Sequence, residues 1–167
     1  MRINYFKSIF DIDYSLYPDV KVLVFDIDNT LASPKIRHPS AEVKKYIKDL
    51  QNKGYTIFLY SNNIFPRIVK FAISLDVKYF DPGHKPFAGE MKRYLRYSQH
   101  KPEEVLFIGD QIFTDMFCGA QCGVRLALVD PMTNHDEFWV KIRRPFEKPF
   151  RKKLARMGCT YNQKPKD

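Results

Sequence analysis

The chain has 167 residues, 44% hydrophobic and 28% charged, with a formal net charge of +9. That balance suits one soluble domain with a real core. No apolar run approaches the roughly 18 residues of a bilayer-spanning helix, and the first residues, broken by Lys7, Asp11 and Asp13, lack the apolar centre of a signal peptide.

Residues 1–19 read as an irregular N-terminal arm in which Phe6, Ile9 and Phe10 form a short amphipathic piece. The arm holds Phe-Asp-Ile-Asp at 10–13, and the same four letters recur at 25–28. From residue 20 strands and helices alternate. "VKVLVFD" (20–26) is an apolar, β-branched run. Ser40 then opens a helix with Val43, Ile47 and Leu50 on one face, stopped near Gly54. "YTIFLYS" (55–61) is the next strand, followed by a helix with Pro66 in its first turn and Ile68, Ala72 and Leu75 inward. "VKYFD" (77–81) is a short strand, and Pro86 is expected to open a helix presenting Phe87, Met91 and Tyr94. "EVLFIGD" (104–110), a helix through Met116 and Ala120, and "VRLALVD" (124–130) complete the series. The cysteines Cys118, Cys122 and Cys159 are odd in number, so free thiols in a reducing cytoplasm are expected, the first two as helix-packing residues.

Alternation of this kind implies βαβ units around a central parallel sheet of about five strands, buried on both faces. Ligands of such sheets bind beyond the strand C-termini. Those ends carry Asp26, Ser61, the 81–85 loop, Asp110 and Asp130. Asp26 and Asp28, at i and i+2, point to one side of an extended chain and repel unless a cation lies between them. Carboxylate oxygens suit Mg²⁺, and Asp110 and Asp115 could join the same point. The Asn29-Thr30 turn is expected to leave backbone N–H groups free for an anion. Ser61 and Asn62 add a hydroxyl and an amide, and Lys85 an ammonium. An acidic metal site ringed by anion donors suits phosphoryl transfer, with one carboxylate attacking phosphorus and its neighbour moving the proton.

In order, "DIDNT", "SNN", "HKP" and "GDQIFTD" resemble the four motifs of the haloacid dehalogenase (HAD) phosphohydrolases. The full strings resemble the YqeG-type, subclass IIIA branch, related to the phosphatidylglycerophosphate phosphatases of mitochondria and plastids. The resemblance covers roughly residues 20–130. It implies a HAD-like Rossmannoid three-layer sandwich with Asp26 as nucleophile and Asp28 as general acid/base. It further implies that Thr30 supports the motif turn, that Ser61 and Asn62 bind phosphate, and that Lys85 stabilises the nucleophile and the phosphate charge. Mg²⁺ would lie on Asp26, the Asp28 carbonyl and Asp110, with Asp115 assisting through water or by holding Lys85. The nine residues 31–39 and the 24-residue interval from Ser61 to Lys85 leave no room for a cap domain. An open site suits a lipid headgroup, a protein or a nucleic-acid end, closed over by a partner subunit or a large substrate.

Residues 131–167 read as a basic helical extension of the single domain. Residues 141–156 contain eight Lys or Arg against the single acid Glu147, with Phe150, Leu154 and Met157 at helical spacing. An anionic membrane surface fits this pattern, as does an ordinary helix packed on the domain. Nucleic acid is less favoured, because no RNP-type or helix-turn-helix pattern is present. The expected function is an Mg²⁺-dependent phosphomonoesterase of phosphatidylglycerophosphate, cytoplasmic or peripheral on the inner membrane face. The competing readings are hydrolysis of a phosphoprotein, nucleic-acid end or sugar phosphate, and an RNA- or ribosome-binding module with a vestigial site. His38, His84 and His135 read as loop surface, Asp81 and Asp130 as turn residues, and Asp11 and Asp13 as a solvated turn.

Overall fold

The computed structural model describes residues 3–81 and 84–132, together with Pro149 and Lys152. Among these residues, ten strands and α-helices follow one another. They are β1 (Ile3–Phe6), β2 (Val22–Phe25), α1 (Ala41–Asn52), β3 (Thr56–Leu59), α2 (Phe65–Leu75), β4 (Lys78–Tyr79), α3 (Gly89–Tyr97), β5 (Val105–Gly109), α4 (Phe117–Gln121) and β6 (Arg125–Val129). All strand pairs are parallel, in one six-stranded sheet of order β1-β6-β5-β2-β3-β4.

The period-two geometry of strands sorts the apolar runs into two cores. Leu23, Phe25, Ile57, Leu59, Leu106, Ile108, Ala127 and Val129 face one way, against Val43, Ile47 and Leu50 of α1 and Ile68, Phe71 and Leu75 of α2. Val22, Val24, Phe58, Tyr60, Val105, Phe107, Leu126 and Leu128 face the other, against Met91 of α3 and Cys118 of α4. The result is the expected α/β three-layer sandwich. Local chemistry supports the helices: the Ser40 hydroxyl accepts the Val43 N–H at 3.2 Å, Pro66 lies in the first turn of α2, and Gly54 takes φ +91° just after α1.

The N-terminal arm differs from its sequence reading. Residues 3–6 form an edge strand, with Ile3 beside Leu126 and Phe6 beside Val129, so the sheet has six strands. Only Ile3 and Phe6 of these four residues are buried. The strand therefore lacks the apolar run that marks β2. Beyond it, two short 3₁₀ turns bring Ile9, Ile12 and Tyr17 onto the α1/α2 core, and the Tyr46 hydroxyl donates to the Ile9 carbonyl at 2.5 Å. Phe10 stays largely exposed, its ring edge-on to Tyr46.

A second correction concerns α3. It begins at Gly89, so Phe87 precedes the helix and projects into solvent, while Met91 is buried. The Phe87 N–H donates to the His84 carbonyl in a turn, which excludes a helix starting at Pro86. The predicted helix after β5 opens with a π-helical turn, Ile112–Met116, before α4. Of the predicted basic extension, residues 131–132 are non-helical, Pro149 and Lys152 are helical and exposed, and the remainder lies outside the described residues.

Candidate active site

β2 and β5 lie side by side at the point where strand order reverses, so Asp26 and Asp110 extend from adjacent strands into one crevice. The Asp26 N–H is held by the Ile108 carbonyl at 2.9 Å. The side chain is buried, and its Oδ1 receives the Lys85 ammonium at 2.5 Å. Lys85 also donates to Asp115 Oδ1 at 2.7 Å and to the Tyr60 carbonyl at 2.9 Å. Asp26 Oδ2 has no hydrogen-bond partner.

Asp26, Asp110 and Asp115 each bring an oxygen within 4.8 Å of the others, all three residues buried. Three carboxylates face one ammonium, an excess of negative charge that burial makes costly. Burial pushes the Asp26 carboxyl up to about 7, the Asp115 and Asp28 charges add to the rise, and Lys85 opposes it. Burial alone would lower the Lys85 ammonium, but the Asp115 and Asp26 carboxylates hold it above its ordinary value. The bare Asp26 oxygen, the excess charge and an all-oxygen donor set fit a divalent cation.

The Asp28 carboxylate is fixed differently. Arg67, in the first turn of α2, reaches its Oδ1 with Nη2 at 2.8 Å and Nε at 3.1 Å, and Asn63 donates to Oδ2 at 2.8 Å. Arg67 continues to the Ser33 and Ile36 carbonyls, tying down the loop after β2. That loop contains neither helix nor strand, and β3 and β4 are joined through α2 alone, so neither interval holds a cap among the described residues. Asn63 belongs to the "SNN" motif, whereas Arg67 escaped the sequence reading because a lone Arg in a helix is ordinary. The usable signal was that it follows "SNN" by one turn.

The turn after Asp28 corrects an expectation. The N–H groups of Thr30, Leu31 and Ala32 all point at the Ile27 carbonyl, and the Asn29 N–H at the Ala32 carbonyl. These four donors are engaged within the turn rather than free for an anion. Asn29 takes φ +63° to close it, and the buried Thr30 hydroxyl has no hydrogen-bond partner. At the end of β3, buried Ser61 accepts the Asn63 N–H at 3.1 Å. The Asn62 side chain grips the Lys85 backbone twice: Nδ2 donates to its carbonyl at 2.8 Å, and Oδ1 accepts its N–H at 2.7 Å. Asn62 therefore places Lys85, while any direct role in phosphate binding falls to its remaining groups.

Gly109 was missed as well. A Cβ there would sit 2.5 Å from Asp115 Oδ2, so only glycine leaves room for this carboxylate beside the strand end. Asp115 Oδ2 accepts the Gln111 N–H at 3.0 Å, closing the π-helical turn that aims it inward.

Comparison with known proteins agrees with this geometry. The chain is 27% identical over 140 residues to the probable phosphatase YqeG of Bacillus subtilis (strain 168), covering 84% of this chain and 81% of that protein. Solved structures share the fold. The cobalt-bound deoxy-D-mannose-octulosonate 8-phosphate phosphatase of Haemophilus influenzae matches with TM-score 0.55 and 18% identity, over 65% of this chain and 68% of that one. A HAD-family hydrolase of Streptomyces avermitilis matches with TM-score 0.56 and 20% identity, over 66% and 68%. The family model described as mitochondrial PGP phosphatase matches residues 2–133. With its motifs at the strand ends of a HAD-like sheet, the chain belongs to this family and is a HAD-type phosphatase of the YqeG kind.

Proposed function

We propose that the protein is an Mg²⁺-dependent phosphomonoesterase working through an aspartyl-phosphate on Asp26, with phosphatidylglycerophosphate as its substrate. One observation carries the chemistry: Asp26 offers a bare Oδ2 while its Oδ1 is anchored by Lys85. Mg²⁺, held by Asp26, Asp110 and the Asp28 carbonyl, with Asp115 assisting, would neutralise phosphate charge as it meets the carboxylate. The Asp26 carboxylate attacks phosphorus and the bond to the alkyl oxygen breaks. Asp28, held by Arg67 and Asn63, gives that oxygen its proton. Asp28 then takes a proton from water as the water attacks phosphorus, the acyl phosphate bond breaks, and Asp26 is restored with release of phosphate. Lys85 neutralises charge throughout, and Ser61 with the Asn62 backbone supplies polar contacts for phosphate.

The lipid substrate is supported by the family match and by the open edge of the sheet. The basic C-terminal segment would add peripheral contact with an anionic membrane surface on the cytoplasmic side. No helix among the described residues is long and apolar enough to cross a membrane. The test is paired. Asp26→Asn and EDTA each abolish turnover of an aryl phosphate, while Asp11→Asn, at an exposed position of the other copy of the tetrapeptide, leaves it intact. Wild-type hydrolysis by Asp26→Asn would remove the nucleophile. A kcat/KM panel of lipid, sugar, protein and nucleotide phosphates tests the substrate, and no preference for the lipid would discard it.

A further inference from the structure

Four successive connections on the catalytic edge of the sheet expose large apolar side chains. Ile36 lies in the loop after β2, Ile64 and Phe65 where α2 begins after β3, Phe87 between β4 and α3, and Phe117 at the start of α4 after β5. Ile64 is 69% exposed, Phe87 72% and Phe117 56%, values usual for lysine rather than for phenylalanine. Because every strand runs parallel, all four connections emerge on the edge that carries Asp26, Asp28, Lys85 and Asp110. Hydrogen bonds link them around the site. Arg67 of α2 holds the Ile36 carbonyl, and Gln121 of α4 donates to the Pro86 carbonyl at 2.6 Å, beside Phe87. Other exposed apolar residues, such as Ile73 and Tyr97, sit singly on helix surfaces and need no explanation.

The loop after β2 adds exposed cations to this rim, outside the acidic crevice. Lys35 and Arg37 flank Ile36 and are exposed. Across residues 29–40, 61–67, 84–88 and 111–117 the single carboxylate is Asp115, buried at the catalytic centre. Two strand-end acids lie farther along the edge: Asp81, 3.5 Å from Arg93 with both exposed, and Asp130, which accepts the Tyr5 hydroxyl.

We infer that this rim is the surface on which the enzyme sits on an anionic phospholipid bilayer, apolar side chains in the interface and the crevice facing the headgroups. Ile36, Ile64, Phe65, Phe87 and Phe117 would enter the headgroup–acyl boundary, and Lys35 and Arg37 would pair with lipid phosphates. The rim shares no residue with the basic C-terminal segment, and it explains how an uncapped site excludes water: the membrane covers it. The inference deepens the lipid-phosphate reading and rests on it for its purpose.

The test is flotation of the full chain with vesicles of phosphatidylglycerol and phosphatidylcholine that contain no phosphomonoester lipid. Wild type is expected to bind, with a fraction surviving high salt. Ile64→Ser, Phe87→Ser and Phe117→Ser together should lower the partition coefficient at least about tenfold while leaving aryl phosphate hydrolysis unchanged. Should the triple variant lose that hydrolysis, the single Ile64→Ser and Phe117→Ser variants carry the prediction at about threefold each. Unchanged binding by the variants would assign attachment to the basic segment and overturn the inference. Failure of wild type to bind, with self-association that the variants abolish, would overturn it in favour of a protein contact. A wrong lipid-substrate reading would show separately, as intact vesicle binding without turnover of a vesicle-borne phosphate ester.

Discussion

Arg67 places two nitrogens on one oxygen of Asp28, Nη2 at 2.8 Å and Nε at 3.1 Å, and lays its third on the Ile36 carbonyl. One guanidinium thus couples the orientation of the proton-transferring carboxylate to the loop that borders the site. The pair is mostly shielded from solvent, with the Arg67 side chain 10% and Asp28 22% exposed, so water weakens it less than a surface ion pair.

Arg67→Gln removes the charge and the fork while keeping a polar chain. A misplaced Asp28 matters when the leaving oxygen needs a proton and hardly matters when it does not. The kcat/KM for an alkyl phosphate should fall about 10–100-fold, within the range of general-acid contributions, and that for p-nitrophenyl phosphate by less than about threefold. An equal fall on both substrates would make Arg67 a merely structural residue.

Proton linkage at Asp26 gives a second prediction. Its carboxyl is pushed from 3.8 up to about 7, first by burial. Between those values the native, cation-free protein holds a proton that the unfolded chain has released. This stability is therefore fully present below the unfolded pKa and is lost as pH rises toward 7. A divalent cation on ionised Asp26 must displace that proton, so its binding strengthens over the same interval. The rise in Tm on adding Mg²⁺ should be larger at about pH 8 than at about pH 5.5, and Asp26→Asn should flatten the difference. Equal gains at both pH values would remove Asp26 from the cation site.

Much of this was legible from sequence for a physical reason. Strands buried on both faces must be continuously apolar, so β2, β5 and β6 announce themselves, and a polar residue directly after such a run lies at the sheet edge. Asp26, Ser61 and Asp110 are found that way. β1 was hidden because its Asn4 and Tyr5 are only partly buried, and the Asn4 amide donates to the Tyr17 hydroxyl instead of reading as a strand signal. Phe87 was misplaced because helical spacing to Met91 outweighed the turn at His84. The fork of Arg67 on Asp28 and the double grip of Asn62 on Lys85 depend on which loops meet, which the spacing from "SNN" hints at for Arg67 but does not specify.

Gly109 supplies the sharpest steric test. A methyl group there meets Asp115 Oδ2 at 2.5 Å, Cγ at 2.6 Å and Cβ at 2.7 Å, distances that force the carboxylate aside. Asp115 cannot shift freely, because its other oxygen binds Lys85 and the whole side chain is buried. Gly109→Ala should therefore cost about 1–3 kcal/mol in stability, as overpacking does. It should also lower kcat at least about tenfold, which corresponds to about 1.4 kcal/mol at the barrier, by releasing Lys85 from one partner. Gly89→Ala is the matched control: at the first residue of α3 a Cβ meets nothing within 4 Å, and alanine favours helix. That variant should be neutral or stabilised by up to about 1 kcal/mol, with activity unchanged. Thermal unfolding with kcat on both proteins decides the matter. If Gly109→Ala kept wild-type activity and stability, the packing of Asp115 against the strand end would have no part in building the site.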